Sequence, residues 1–108
     1  MTANCTYTQV RQIINTSVSD SDIAALIVLA DAEILDRGLT GFSAAALQEI
    51  SMLLTAEKIV MRDPKSRAAY YTVEVGLNEA VRFASAEDYR AAAERRIKSS
   101  KKAIVISN

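Results

Sequence analysis

The chain contains no histidine and no tryptophan, one cysteine (Cys5), one proline (Pro64) and three glycines (Gly38, Gly41 and Gly76). Without histidine, nucleophilic triads of the usual kind lack their base, and histidine-built metal sites are excluded. A single cysteine cannot form a disulfide within the chain, and it has no histidine to activate it. The glycines are too far apart for a phosphate-cradling loop. So few chain breakers over 108 residues favour helices over a many-turned β-sandwich. Long apolar runs are also missing: Asp, Glu or Ser interrupts each one well short of a membrane span. The first residues, Met1 to Thr8, lack the basic-then-apolar pattern of a secretory signal. These features predict a soluble protein made in a cytoplasm, with no membrane partner and no cofactor.

Half of the residues are hydrophobic, which excludes a disordered chain, and the length suits one domain. Net charge is zero but unevenly spread. Residues 1–63 carry four basic side chains (Arg11, Arg37, Lys58, Arg62) against eight acidic ones, a balance of −4; residues 64–108 carry nine against five, a balance of +4. Opposed halves can orient head-to-tail pairing between copies, or they can pair within one subunit.

The best-punctuated segment runs from Ser19 to Gly38. Ser19 stands three residues before Asp22, the spacing of a capping box, and Asp20 and Asp22 suit the positive end of a helix dipole. Gly38 is a natural left-handed stop. Ile23, Leu26, Ile27, Ala30 and Ile34 form one apolar stripe, and Ala25, Val28, Leu29, Ala32 and Leu35 form a second beside it. A helix apolar over most of its circumference must be covered on more than one side, and another copy of the chain is a source of that cover. Val28, Leu29 and Leu35 are therefore candidate subunit-interface residues.

Around this helix, Thr6 and Gln9 have capping-box spacing and open a short helix predicted to reach Ile14, with Val10, Ile13 and Ile14 on one face. Ser43 caps a third helix that Asp63-Pro64 ends, since the residue before proline avoids the helical region. The short link from Leu39 to Phe42 makes the second and third helices an αα-hairpin. Tyr70 to Val75 is β-branched and aromatic with strand-like alternation, and Ala80 to Phe83 can return as the second arm of a hairpin. A helical reading of residues 77–84 stays open. Ser85 and Asp88 open a last helix with a narrow stripe of Tyr89, Ala92, Ala93 and Ile97, acids at its start and bases at its end. Lys101-Lys102 then leads into an apolar, β-prone tail, Ala103 to Ile106, which either adds as a strand to something or docks on its own core. The predicted fold is mainly α: a single domain of about four helices (core 1–63), a short hairpin or extended loop (64–84), and a C-terminal helix with an extended tail (85–108).

Carboxylate neighbours such as Asp20/Asp22 and Glu87/Asp88 sit at helix starts, where capping explains them, so no catalytic residues are assigned. The cluster Arg95, Arg96, Lys98, Lys101 and Lys102 can meet phosphate backbones or a protein partner, or can simply be a solvated helix end. No aromatic residue interleaves with those bases, which weakens a single-strand reading.

In the order and spacing of its elements the chain resembles the head–tail connector (adaptor) proteins of tailed phages and related viruses. The likeness spans nearly the whole chain. It is carried by Tyr7, Thr8 and Val10 of the first helix, by Val18 to Ile23 with Leu26-Ile27, Ala30 and Ala32 to Ile34, and by the Ala- and Leu-rich third helix. Thr72 to Gly76 with Val81 to Ser85 follow, then Tyr89 and Ala91 to Ala93. The resemblance implies a neck protein of the virion that assembles as a dodecameric ring on the portal protein and contacts a further neck or tail-completion protein. Channel DNA would pass close by without being read. Carried onto this chain, it makes Tyr89, Arg95, Arg96, Lys98, Lys101, Lys102, Ile104, Val105 and Ile106 portal-binding candidates. Residues 64–83 become the loop, with Tyr70 and Tyr71 joining the subunit-interface candidates. The alternatives are a small helical nucleic-acid-binding or regulatory protein using Arg95 to Lys102, and a helical domain serving a larger complex.

Overall fold

Short polar side chains start every helix of this fold. A computed structural model describes the backbone of residues 3–39, 41–68, 70–72, 80–82 and 85–106, and the side chains of residues 3–39, 41–66 and 85–101. The elements in order are α1 (Tyr7–Val10), β1 (Ile14–Asn15), α2 (Asp20–Asp36), α3 (Ala44–Arg62), β2 (Arg67–Ala68), β3 (Tyr70–Thr72), β4 (Ala80–Arg82) and α4 (Ala86–Ile106). The hydroxyls of Ser19 and Ser43 accept from the Asp22 and Ala46 amides at 3.2 and 3.1 Å. Thr6 with Gln9, and Ser85 with Asp88, form reciprocal boxes in which each side chain accepts from the other's amide. Gly38, at φ 62°, supplies the left-handed residue after α2 that a side chain would strain. Asp63, outside the helical region at φ −133° and ψ 89° before Pro64, ends α3.

The fold is mainly helical, and its centre is α3 rather than α2. Residues Glu49 to Glu57 of α3 are all buried. Helix α4 packs along one side of α3 and α2 along another. Only the stripe of Ile23, Ile27, Ala30 and Ile34 of α2 is buried. The second apolar stripe of α2, for which the sequence asked cover from another copy, is left uncovered within the subunit. Hydropathy hid the central place of α3 because the middle of α3 carries Glu49, Ser51, Thr55 and Glu57, polar residues that are buried all the same. Partners offset the burial of Glu49, Ser51 and Glu57, while the Thr55 hydroxyl and the Oε1 of Glu49 have no hydrogen-bond partner among the described residues. Ser51 donates to Asp31 at 2.8 Å, Glu57 binds Arg90 and Glu49 binds Arg96.

Helix α1 is shorter than its apolar spacing suggests. It stops at Val10 because the chain turns and Ile14–Asn15 pairs antiparallel with Arg67–Ala68. Ile13 and Ile14 are both fully buried. Two successive β-branched residues are buried more readily by a turn into a strand than by one more helical turn. The hairpin reading holds over its described arms: Tyr70–Thr72 pairs with Ala80–Arg82, with Tyr71 opposite Val81. Residues 80–82 are therefore strand, not helix. Residues 73–79, 83 and 84 of the predicted hairpin lie outside the described residues, as do the side chains of Tyr70 and Tyr71.

At the other end, α4 continues without a break to Ile106. This corrects the extended, β-prone tail: the β-branched run after Lys102 is taken up as further turns of a helix already nucleated, where adding one residue adds one hydrogen bond. The narrow stripe of α4 is also buried more deeply than its width suggests, with Tyr89, Ala92, Ala93 and Ile97 at most 2% exposed. Two alanines let α4 approach α3 closely, and the arginines beside the stripe extend the contact.

Candidate interaction surfaces

Arg90 ties three helices together. Its guanidinium donates to both oxygens of Glu57 on α3, at 2.8 and 2.7 Å, and to both oxygens of Glu33 on α2. Lys58 donates to Glu33 at 3.1 Å. Arg37 at the end of α2 makes a two-pronged pair with Glu94 of α4 at 2.7 Å each. Arg37–Glu94 lies one helical turn beyond Glu33–Arg90 on both helices, so α2 and α4 run parallel. Hydrogen bonds from Arg90, reinforced by Lys58, hold the Glu33 carboxyl at about 2, well below its ordinary 4.5, against the opposing effect of burial. Sequence reading missed Arg90 because it falls on the charged side of α4. The available signal was its place directly after Tyr89, at the border of the buried stripe.

These pairs show where part of the opposed charge goes. Arg90 and Arg96, from the basic half, bind Glu33, Glu57 and Glu49, from the acidic half, inside one subunit. The basic cluster of the last helix accordingly divides. Arg96 donates through Nε to Glu49 at 2.8 Å and through Nη1 to Ser100, and its side chain is 15% exposed. It is a packing residue, not part of a free basic surface. Arg95, Lys98 and Lys101 are exposed, and their spacing of three places them along one side of α4. The side chains of Lys102, Ile104, Val105 and Ile106 lie outside the described residues.

Tyr89 likewise leaves the set of surface candidates. It is fully buried, and its hydroxyl donates to the Ile13 carbonyl at 2.8 Å, across the core to the turn between α1 and β1. Burial also pushes its hydroxyl above the ordinary tyrosine range, so the group stays a donor. Cys5 is buried with Sγ 3.2 Å from the Ser51 hydroxyl, and burial pushes its thiol up to about 11. It is a neutral thiol at pH 7.

The contrast between Arg95 and Arg96 is measurable. Arg96→Ala leaves the Glu49 carboxylate, 7% exposed, without its cation, and should destabilise the fold by about 3 kcal/mol. Arg95→Ala should fall within about 0.5 kcal/mol of the parent. Urea denaturation of the two variants checks this; equal effects would mean that Arg96 is not holding Glu49.

What remains exposed and apolar is chiefly the second stripe of α2: Val28, Leu29 and Leu35 are 65, 56 and 68% exposed. The subunit-interface residues proposed on α2 thus stand on the surface. Met61 near the end of α3, 69% exposed, lines an open groove of about 530 Å³ with Glu57, Ala86, Glu87, Arg90 and Ala91. Among the described residues no group of His, Cys, Asp or Glu side chains is arranged to hold a metal ion. No described helix is long and apolar enough to cross a membrane. No protein-family model, curated protein or solved structure matches this chain.

Proposed function

We propose that this chain is a structural assembly subunit, and specifically a head–tail connector that forms a ring on a portal protein and joins capsid to tail in the virion neck. The observation that carries the assembly reading is the outer face of α2. Three large aliphatic side chains stand more than half exposed on one rigid helix whose other face is fixed in the core. Such a patch has a physical reason when a partner covers it. The connector form rests on the resemblance in element order, to which the β3–β4 hairpin before the last helix adds support. In this reading the α2 face meets neighbouring subunits. The outer end of α4, with exposed Arg95, Lys98 and Lys101, faces the portal or passing DNA.

The deciding experiment mixes the purified protein with the portal protein of the same genome and images the mixture by electron microscopy. A ring stacked on the portal is the expected result. Deleting residues 103–108 should weaken that complex while the helical spectrum persists. No complex, together with duplex DNA binding that falls steeply with salt, would overturn the connector reading in favour of a nucleic-acid-binding role for Arg95, Lys98 and Lys101.

A further inference from the structure

The ion pairs that α4 makes with the rest of the subunit leave three of its cations unpaired. Among the described residues these pairs run through Arg90, Glu94 and Arg96. Arg95, Lys98 and Lys101 are exposed and enter none of them. Two ordinary reasons for such a row are missing. A helix dipole favours cations only within the last turn, and α4 runs on to Ile106 with no basic residue in that turn. An acid four residues away would also hold a cation, but Arg95 has Ala91 and Ser99 at those places, and Lys101 has Ile97 and Val105. Lys98 has Glu94, which Arg37 of α2 already holds through two bonds of 2.7 Å. Like charges therefore stand three residues apart on one helix with nothing inside the subunit to offset their repulsion.

The row steps about 4.5 Å along α4 and about 60° around it from one cation to the next, a slanting line about 9 Å long. Such a line can lie across one strand of a duplex, which carries a phosphate charge about every 3.4 Å along its axis. The rest of this side decides between an acidic protein and a nucleic acid. None of the five large hydrophobic side chains exposed among the described residues lies on α4. Protein interfaces draw their affinity from aromatic and aliphatic anchors and are poor in lysine. Arginine, lysine and serine are side chains that meet phosphate oxygens, and Ser99, half-buried, stands beside Lys98. The single aromatic residue of α4, Tyr89, is fully buried, so unpaired bases have nothing to stack on.

We infer that Arg95, Lys98 and Lys101 bind the phosphate backbone of duplex DNA without reading its sequence. The contact needs only the outer side of α4, so it does not rest on the connector reading. In a ring it turns this side of α4 to the channel and away from the portal.

Fluorescence anisotropy of a labelled duplex of about 20 base pairs, titrated with the full chain, tests the contact. A dissociation constant below about 100 µM is expected at about 50 mM salt. Neutralising three phosphates should make binding about 40-fold weaker at about 200 mM. Two unrelated sequences should bind alike. Arg95→Gln, Lys98→Gln and Lys101→Gln together should remove measurable binding with an unchanged circular dichroism spectrum, because all three side chains are exposed. Ala24→Glu, Val28→Glu and Leu35→Glu together change the net charge equally at exposed positions of α2, and should weaken binding far less. No binding at low salt, equal losses in the two triple variants, or poly-glutamate bound as tightly as the duplex would each overturn the assignment. A chain that binds portal but not DNA would sink this contact alone; one that binds DNA but not portal would sink the connector reading alone.

Discussion

Tyr89→Ala is expected to remove about 3–5 kcal/mol of folding stability, the largest effect of any single substitution considered for this chain. The side chain is fully buried where α4, α3 and the α1–β1 turn meet, and its removal leaves a cavity the size of a ring. It also strips the Ile13 carbonyl of its 2.8 Å hydroxyl donor in a place water does not reach. Tyr89→Phe separates the two contributions. It keeps the ring and loses only the hydrogen bond, so it should cost about 1–2 kcal/mol. A domain of this size holds only about 5–15 kcal/mol in total, so the alanine variant should be partly unfolded well below the parent's melting temperature. Urea midpoints of the two variants make the comparison. If alanine and phenylalanine cost the same, the ring is not seated in the core as described.

Arg90→Met should cost about 2–3 kcal/mol and also change the protein's response to acid. The substitution leaves Glu57, whose side chain is only 12% exposed, with Lys58 at 3.9 Å as its remaining cation. Breaking a buried pair from one side commonly costs about 3–5 kcal/mol. Arg90 itself is about a third exposed, so solvent screening lowers the expected loss to the bottom of that range or just below it. The sign of the pH effect follows from Glu33. Its carboxyl is held at about 2 in the folded chain against an ordinary 4.5, so the folded state favours the ionised form. The stability it contributes is fully present above pH 4.5 and is lost as pH falls from there towards 2. Without Arg90 the Glu33 carboxyl rises towards its ordinary value, and only Lys58 still holds it down. The acid limb of the stability curve should therefore be shallower in Arg90→Met than in the parent. Parallel acid limbs would show that Arg90 does not set the Glu33 titration.

Much of the backbone plan was legible in the sequence, because its signals are local. The Thr6, Ser19, Ser43 and Ser85 caps, the Gly38 stop and the Asp63-Pro64 end act through hydrogen bonds and dihedral limits within a few residues. The buried stripe of α2 was legible for the same reason, since helical period alone puts Ile23, Ile27, Ala30 and Ile34 on one side. The candidate surfaces were legible only in part. Val28, Leu29 and Leu35 are exposed where the second stripe of α2 placed them, whereas Tyr89 and Arg96 turned out to be parts of the packed interior. A basic run on a helix shows how many cations there are, not which of them face a carboxylate on another helix.

The sequence by itself determined a mainly helical chain, the start of each helix, the stripe that α2 buries and the apolar stripe it has to spare. Tertiary structure decided that α3, polar in its middle, is the central helix, and that Ile14 leaves α1 to pair with Ala68. It also decided that Arg90 and Arg96 are spent on Glu33, Glu57 and Glu49. The division follows from range. Caps, stops and periodicity depend on neighbours a few residues away, while the burial of a glutamate depends on an arginine arriving from more than thirty residues further along the chain.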